Sequence, residues 1–213
     1  MLFDFAAIGP DLAYKILVST IVPRPIAWVT TVDADGRVNA APYSFFNAVS
    51  SDPPVVAIGI GSKGRGLKDT GENIRQTGQF VVNLVSEAVA EAMNITAIDV
   101  EPGVDELAMA ELTPLASTKV TPPRIAESPV ALECERLAVV EVGNGKAVVL
   151  GRVLAAHVRD DCVLDAAKAY IDTPKLGLIG RMHGRGWYTR TTDRIEIPRL
   201  TVAEWQARRS AAE

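Results

Sequence analysis

Four groups of residues in this chain have types and spacings that could do chemistry. The stretch Ala41-Pro42-Tyr43-Ser44-Phe45-Phe46-Asn47 sets three aromatic rings among Ser44 and Asn47, with no charge until Asp52. Flat apolar contacts beside hydrogen-bonding groups suit a neutral, planar, heteroaromatic ligand, although aromatics in a strand usually build core. Arg24 stands between Pro23 and Pro25, whose rings stiffen the backbone on both sides and present the guanidinium from a fixed segment. Such a cation suits an anionic or planar partner, and a surface ion pair is the ordinary alternative.

The third group is Ser62, Lys63, Arg65 and Lys68, which lead into Asp69-Thr70-Gly71-Glu72. Asp69 and Glu72 have the spacing of a capping box and predict a helix N-terminus near Thr70. Free backbone amides, a positive dipole end and several cations there make an anion site; the same residues also suit a solvated basic loop. The fourth group is Arg181 and His183, in a segment rich in Gly and Arg. His183 is the better histidine for a ligand contact, since His157 falls in a strand and reads as structural.

Other chemistries are disfavoured. Two histidines without carboxylates or thiols at ligand spacing do not make a metal centre. No Gly-x-Ser-x-Gly nucleophile motif occurs. Gly59-Ile60-Gly61-Ser62-Lys63-Gly64 matches a dinucleotide-binding glycine pattern, but the strands before it form a hairpin, and Gly66 and Gly71 would interrupt the helix that such a fold needs.

The elements that must position these groups read as mainly β. The chain has 213 residues, 48% of them hydrophobic, and a net charge of -4, so one domain with a packed core is expected and a polyanion-binding surface is not. No basic region precedes an apolar one at the N-terminus, and no apolar run approaches the roughly 18 residues of a membrane helix. Cys134 and Cys162 form no Cys-x-x-Cys pair and fit reduced thiols of a cytoplasmic protein.

Residues 25–43 predict a hairpin turning at Asp33-Ala34-Asp35-Gly36, and 55–61 and 80–86 predict buried strands with a short helix at 70–77 between them. A helix is expected at 87–96, then a surface excursion from 101 to 129 with a short helix at 104–111. Gly143-Asn144-Gly145 between two β-rich runs is a strong hairpin signal. Residues 176–191 read as loop, and Thr201 with Glu204 predicts a capped C-terminal helix over about 201–213. Hairpins with separate helices argue for an antiparallel barrel.

Taken in order, PRPIAWVTT, NAAPYSFFNAVSSDPP, KDTGENI with FVVNLV, SPVALECE, VVLGRV and GRMHGRGWY resemble the flavin reductase-like family of FMN-binding split barrels, over about Tyr14 to Tyr188. The resemblance implies a homodimer of antiparallel split β-barrels that binds FMN non-covalently near the subunit interface. It implies that Arg24 and Thr30 lie close to the flavin and that Tyr43, Ser44, Phe45 and Asn47 line its ring. Ser62, Lys63, Lys68, Asp69 and Thr70 would form the phosphate end, and Arg181 and His183 would approach the flavin or a nicotinamide. The implied activity is NADH- or NADPH-dependent flavin reduction that supplies a partner monooxygenase or another electron acceptor. The alternative is a flavin-binding electron carrier or storage module. Because the cofactor would do the redox chemistry, the protein needs only to stack and orient rings, which fits the absence of an acid–base dyad.

Overall fold

The computed structural model describes residues 1–63, 66–101 and 103–210, without the side chains of Lys63 and Ser210. The elements in chain order are α1 (Pro10–Thr20), β1 (Ala27–Val32), β2 (Val38–Tyr43), β3 (Phe46–Ser51), β4 (Pro54–Ile60), β5 (Ser62–Lys63), β6 (Gly66–Leu67), α2 (Asp69–Thr77) and β7 (Gln79–Leu84). They continue with α3 (Ala90–Ile95), α4 (Glu106–Met109), β8 (Pro114–Leu115), β9 (Arg124–Ile125), β10 (Val130–Gly143), β11 (Lys146–Val158), β12 (Val163–Asp165), β13 (Tyr170–Ile171), β14 (Ile179–Arg181), β15 (Tyr188–Arg190) and α5 (Val202–Ser210).

The main sheet is antiparallel and runs β2-β1-β7-β10-β11-β4-β3. Its two edge strands, β2 and β3, are consecutive in the chain and joined only by Ser44 and Phe45. The sheet therefore curls so that its edges approach at this link without pairing, making an open, split barrel whose seam lies there. At the seam the Gly59 amide donates to the Phe45 carbonyl at 2.6 Å. A Cβ on Gly59 would stand 2.9 Å from Phe45 Cβ, so closure requires a glycine there.

Alternation along the strands sorts two cores. Ala27 and Val29 of β1, Phe80 and Val82 of β7, Cys134 of β10 and Val149 of β11 fill the barrel. Trp28, on the other face of β1, packs with Met93, Leu107, Leu112 and Ile125, and its Nε1 donates to Thr96 Oγ1 at 2.9 Å. This explains why β1 is buried at every position. It also corrects the reading of 101–129 as a surface excursion: Leu107, Ala110, Leu112 and Ile125 cover the outer face of β1 and β7 and belong to a core.

Gly151 marks the tightest packing. A Cβ there would lie 2.2 Å from Phe80 Cζ, and Phe80 is fully buried. Gly151→Ala is expected to lower the unfolding free energy by about 1–3 kcal/mol through overpacking, measured by urea denaturation; an unchanged midpoint would contradict this packing.

Most local signals hold. Asp33 Oδ1 accepts from the Asp35 and Arg37 amides at 2.9 Å each and shapes the β1–β2 turn. Asn144 and Gly145 take positive φ between β10 and β11, as an Asn-Gly hairpin requires. Thr201 and Glu204 form the reciprocal box that starts α5. Two readings change. Helix α2 starts at Asp69 with Lys68 as N-cap and no side-chain cap, because the Lys68 carbonyl takes the Gly71 and Glu72 amides and places Asp69 inside the first turn. Residues 176–191 are not loop throughout; they contain the β14–β15 hairpin, which bridges to Arg24 and Ser86.

Candidate ligand site at the barrel seam

The chain from Asn39 to Asn47 crosses the seam and has a hollow associated with each half. The half after Tyr43 lines an apolar hollow of about 420 Å³ with Leu17 and Ile21 of α1, Pro23 to Pro25, Ala57, Gly59 and Val148. Ser44, Phe45, Phe46 and Asn47 are its share of the stretch singled out in the sequence. Phe45 is half-exposed and its ring lies 6.5 Å from that of Tyr14.

Arg24 reaches this hollow from inside the protein. It is 6% exposed, so the surface ion pair is excluded. Its Nη1 donates to the carbonyls of Val18 and Ile21 at 2.8 Å each, and its Nη2 to the Met182 carbonyl at 2.9 Å. Its backbone pairs with Arg181 in both directions. Gly180 permits this approach, since a Cβ there would stand 2.9 Å from Pro23 Cβ. Burial draws the Arg24 pKa down, with Arg181 acting in the same sense. The guanidinium nonetheless stays charged, as arginine does in proteins. Its Nε is buried with no hydrogen-bond partner among the described residues.

The first half of the stretch lines a polar hollow of about 250 Å³ with Lys68, Asp69, Thr70, residues 96–100 and Glu106. Asn39 Nδ2 donates to Thr70 Oγ1 at 2.9 Å. Tyr43 is buried, with its hydroxyl set toward the Thr70 side chain. Burial pushes its phenol up to about 12, Thr70 nearby partly offsets this, and Asp69, Glu106 and Asp99 reinforce it. Glu106 Oε2 accepts the Ala40 amide at 3.0 Å, and burial raises its carboxyl above the ordinary range. Lys68, at the N-cap of α2, reaches Asp99 at 3.4 Å.

The structure therefore brings Arg24, Ser44, Phe45 and Asn47 to one hollow and Tyr43, Lys68, Asp69 and Thr70 to the other. Thr30 lies at neither. It shares the outer face of β1 with Trp28, donates to the Pro123 carbonyl at 2.5 Å and accepts from Asn83. Ser62 pairs with Leu67 in the β5–β6 ladder, outside both linings, and Arg65 and the Lys63 side chain lie outside the described residues.

Arg181 is engaged within its own hairpin. Its guanidinium donates to the Gly184 carbonyl and sits 4.7 Å from the Tyr188 ring. His183 stacks with Trp187 at 6.3 Å. Sequence reasoning missed Asn39 and Glu106. Asn39 had a signal, its place two residues before Ala41 in the same strand; Glu106 had only its position in a short helix. Among the described residues no cluster of three or more His, Cys, Asp or Glu side chains could hold a metal ion, and no helix is long and apolar enough to cross a membrane.

The architecture is thus that of an antiparallel split barrel with two hollows at its seam. This chain belongs to the flavin reductase like domain family, whose model matches residues 18–174. An uncharacterized protein of Deinococcus radiodurans is 44% identical over 216 residues, spanning 99% of this chain and 95% of that one. Among solved structures, nitrilotriacetate monooxygenase component B from Bacillus cereus superposes with a TM-score of 0.87 at 30% identity, covering 92% of this chain and 98% of its own. The 2-nitrobenzoate 2-nitroreductase of Pseudomonas fluorescens gives 0.87 at 31% identity, covering 95% and 98%.

Proposed function

We propose that this protein is a homodimeric, FMN-binding oxidoreductase that takes hydride from NADH or NADPH and passes the electrons to a partner oxygenase or another acceptor. The observation that carries the reading is the pair of hollows at the seam, one apolar and lined by Phe45, Pro23 and Pro25, the other polar and lined by Lys68 and Thr70. A concave apolar surface beside a few convergent polar groups is the ordinary form of a small-ligand site. Family membership and the relatives that serve a monooxygenase or reduce a nitro group support flavin redox chemistry.

The residues present fit such a cofactor. Phe45, Pro23, Pro25 and Ala57 offer flat apolar surface for a ring, with Ser44 and Asn47 at its edge. Lys68 and Thr70 offer a cation and a hydroxyl at the N-terminal end of α2, where the helix dipole favours a phosphate. Bound flavin would supply the hydride-accepting centre. The chain's own part is positional: the arginine-pinned segment fixes one wall of the apolar hollow. Binding energy would then bring hydride donor and acceptor together.

Titrating the protein with FMN should give saturable quenching of flavin fluorescence, and anaerobic NADH or NADPH should then bleach the visible flavin band. FMN binding without bleaching would favour the electron carrier, and no binding would overturn the reading. Lys68→Glu exchanges an attraction for a repulsion at the phosphate end. It should weaken FMN by about 1–3 kcal/mol and riboflavin far less, measured by the same titration. Equal losses for both ligands would place the phosphate elsewhere.

A further inference from the structure

The register of the barrel sheet shifts at four places, and each shift leaves one extra residue: Val49 on β3, Leu137 and Val142 on β10, and Leu154 on β11. All four are aliphatic and all four are exposed, at 56%, 47%, 61% and 38%. A bulge re-aims a side chain, and one that faces water in a barrel wall ordinarily carries a polar residue. Strand pairing ties two of them together. Leu137 adjoins Arg136, whose partner Gly151 pairs with Val56, and Val56 pairs with Ala48 beside Val49. The two stand at the same height of the sheet with β11 and β4 between them, and Val56 of this row belongs to the barrel core. Val140, opposite in alternation to the core residue Val139, extends the exposed aliphatic line toward Val142.

The chain carries a matching segment. After β15 every described residue from Thr191 to Arg209 is exposed, among them Ile195 at 84%, Ile197 at 80%, Val202 and Trp205. Ile195 and Ile197 flank Glu196 with the spacing of a strand that has one apolar face. Helix α5 is capped internally by Thr201 and Glu204 and does not bury Trp205. This arm stays off its own barrel although the aliphatic line is present on the same chain. Its extended part, residues 191–201, can reach on the order of 35 Å, enough to leave one barrel and lie on another.

We propose that the C-terminal arm of each chain lies across the aliphatic bulge line of a second copy, with Ile195, Ile197 and Trp205 covering Leu137, Val140 and neighbouring bulge residues. One arm and one line per chain close as a two-fold exchange that leaves neither in water. The contact presupposes the homodimer of the functional reading and adds where the two chains meet.

Sedimentation equilibrium on the intact chain, on a chain ending at Thr192 and on Leu137→Glu tests this. None of the altered residues belongs to a core, and thermal melting followed by circular dichroism checks that both variants fold. The intact chain should be dimeric, and each variant should raise the dimer dissociation constant by about tenfold or more. An equimolar mixture of the two variants should associate more tightly than either alone, because it pairs an intact arm with an intact line. A truncated chain that dimerises as tightly as the intact one overturns the arm contact and leaves the homodimer standing. An intact chain that binds FMN as a monomer overturns both the homodimer and the contact but not flavin binding.

Discussion

Glu133→Ala should cost about 3–5 kcal/mol of folding free energy, the scale for removing one partner from a buried charged network. Glu133 is fully buried on β10 and faces outward from the barrel, beneath the segment that covers Val81 and Ala131. Its carboxylate accepts the Thr118 amide at 2.8 Å and the Lys119 amide at 2.5 Å, and His157 Nε2 meets it at 2.5 Å. Alanine would leave two amides without acceptors and free the segment around Thr118. Glu133→Gln keeps one acceptor oxygen and should lose less. Burial alone would raise this carboxyl; the two amides and His157 outweigh it and hold it below the ordinary carboxylate value of 4.5. The folded pKa is thus depressed. Its stabilisation is fully present above the unfolded value and is lost as pH falls through the lower folded one. Urea melts at neutral pH and below pH ~4 should show wild type losing this increment in acid, while Glu133→Ala, which lacks the carboxyl, loses less.

Arg24→Met should be comparably damaging. Methionine keeps much of the length and the apolar stem but removes the donors to Val18, Ile21 and Met182. Hydrogen bonds from a charged donor contribute about 1.5–3 kcal/mol each, so a loss of about 3 kcal/mol or more is expected. The loss should be local as well as global: α1 would be released, and limited proteolysis should cut between Pro10 and Pro23 before the barrel unfolds. Arg24→Lys, with one ammonium in place of the planar fork, cannot span three carbonyls and should not rescue. Unchanged protease resistance in Arg24→Met would show that α1 is held by Leu17, Ile21 and Val18 packing alone.

Arg24 also shows where sequence reading stops. Pro23 and Pro25 made its stiffness visible, and its place at a hollow wall was legible. Its burial was not, because one of its carbonyl partners lies 158 residues away. The hairpins at Asp33–Gly36 and Gly143–Gly145 were legible since turn chemistry is local. The break at Ser44-Phe45 was hidden: no Gly or Pro marks it, and what separates β2 from β3 is pairing with β1 and β4 at opposite ends of the sheet. Residue types at the site were legible as a neutral stretch and a basic helix start. The Asn39–Thr70 and Glu106–Ala40 contacts, 31 and 66 residues apart, depend on the finished fold. Thr30 fell on the wrong face because resemblance names a position, whereas the period of two in β1 decides which core it meets.

The two-residue link between β2 and β3 has a consequence for how the molecule comes into being. Strands adjacent in the chain occupy the two ends of the sheet, so no sequence of nearest-neighbour hairpins can complete the barrel. The local hairpins β1–β2 and β3–β4, tied together by Ser44 and Phe45, become one sheet only through the non-local pairings of β1 with β7, β7 with β10 and β11 with β4. Such non-local assembly is slow relative to local helix or hairpin formation. Both hollows draw their walls from segments that these pairings bring together, so the assembled barrel is the form that offers them. Whatever binds at the seam therefore acts as a latch on the whole barrel, and free ligand should raise the melting temperature with the logarithm of its concentration once that exceeds the dissociation constant.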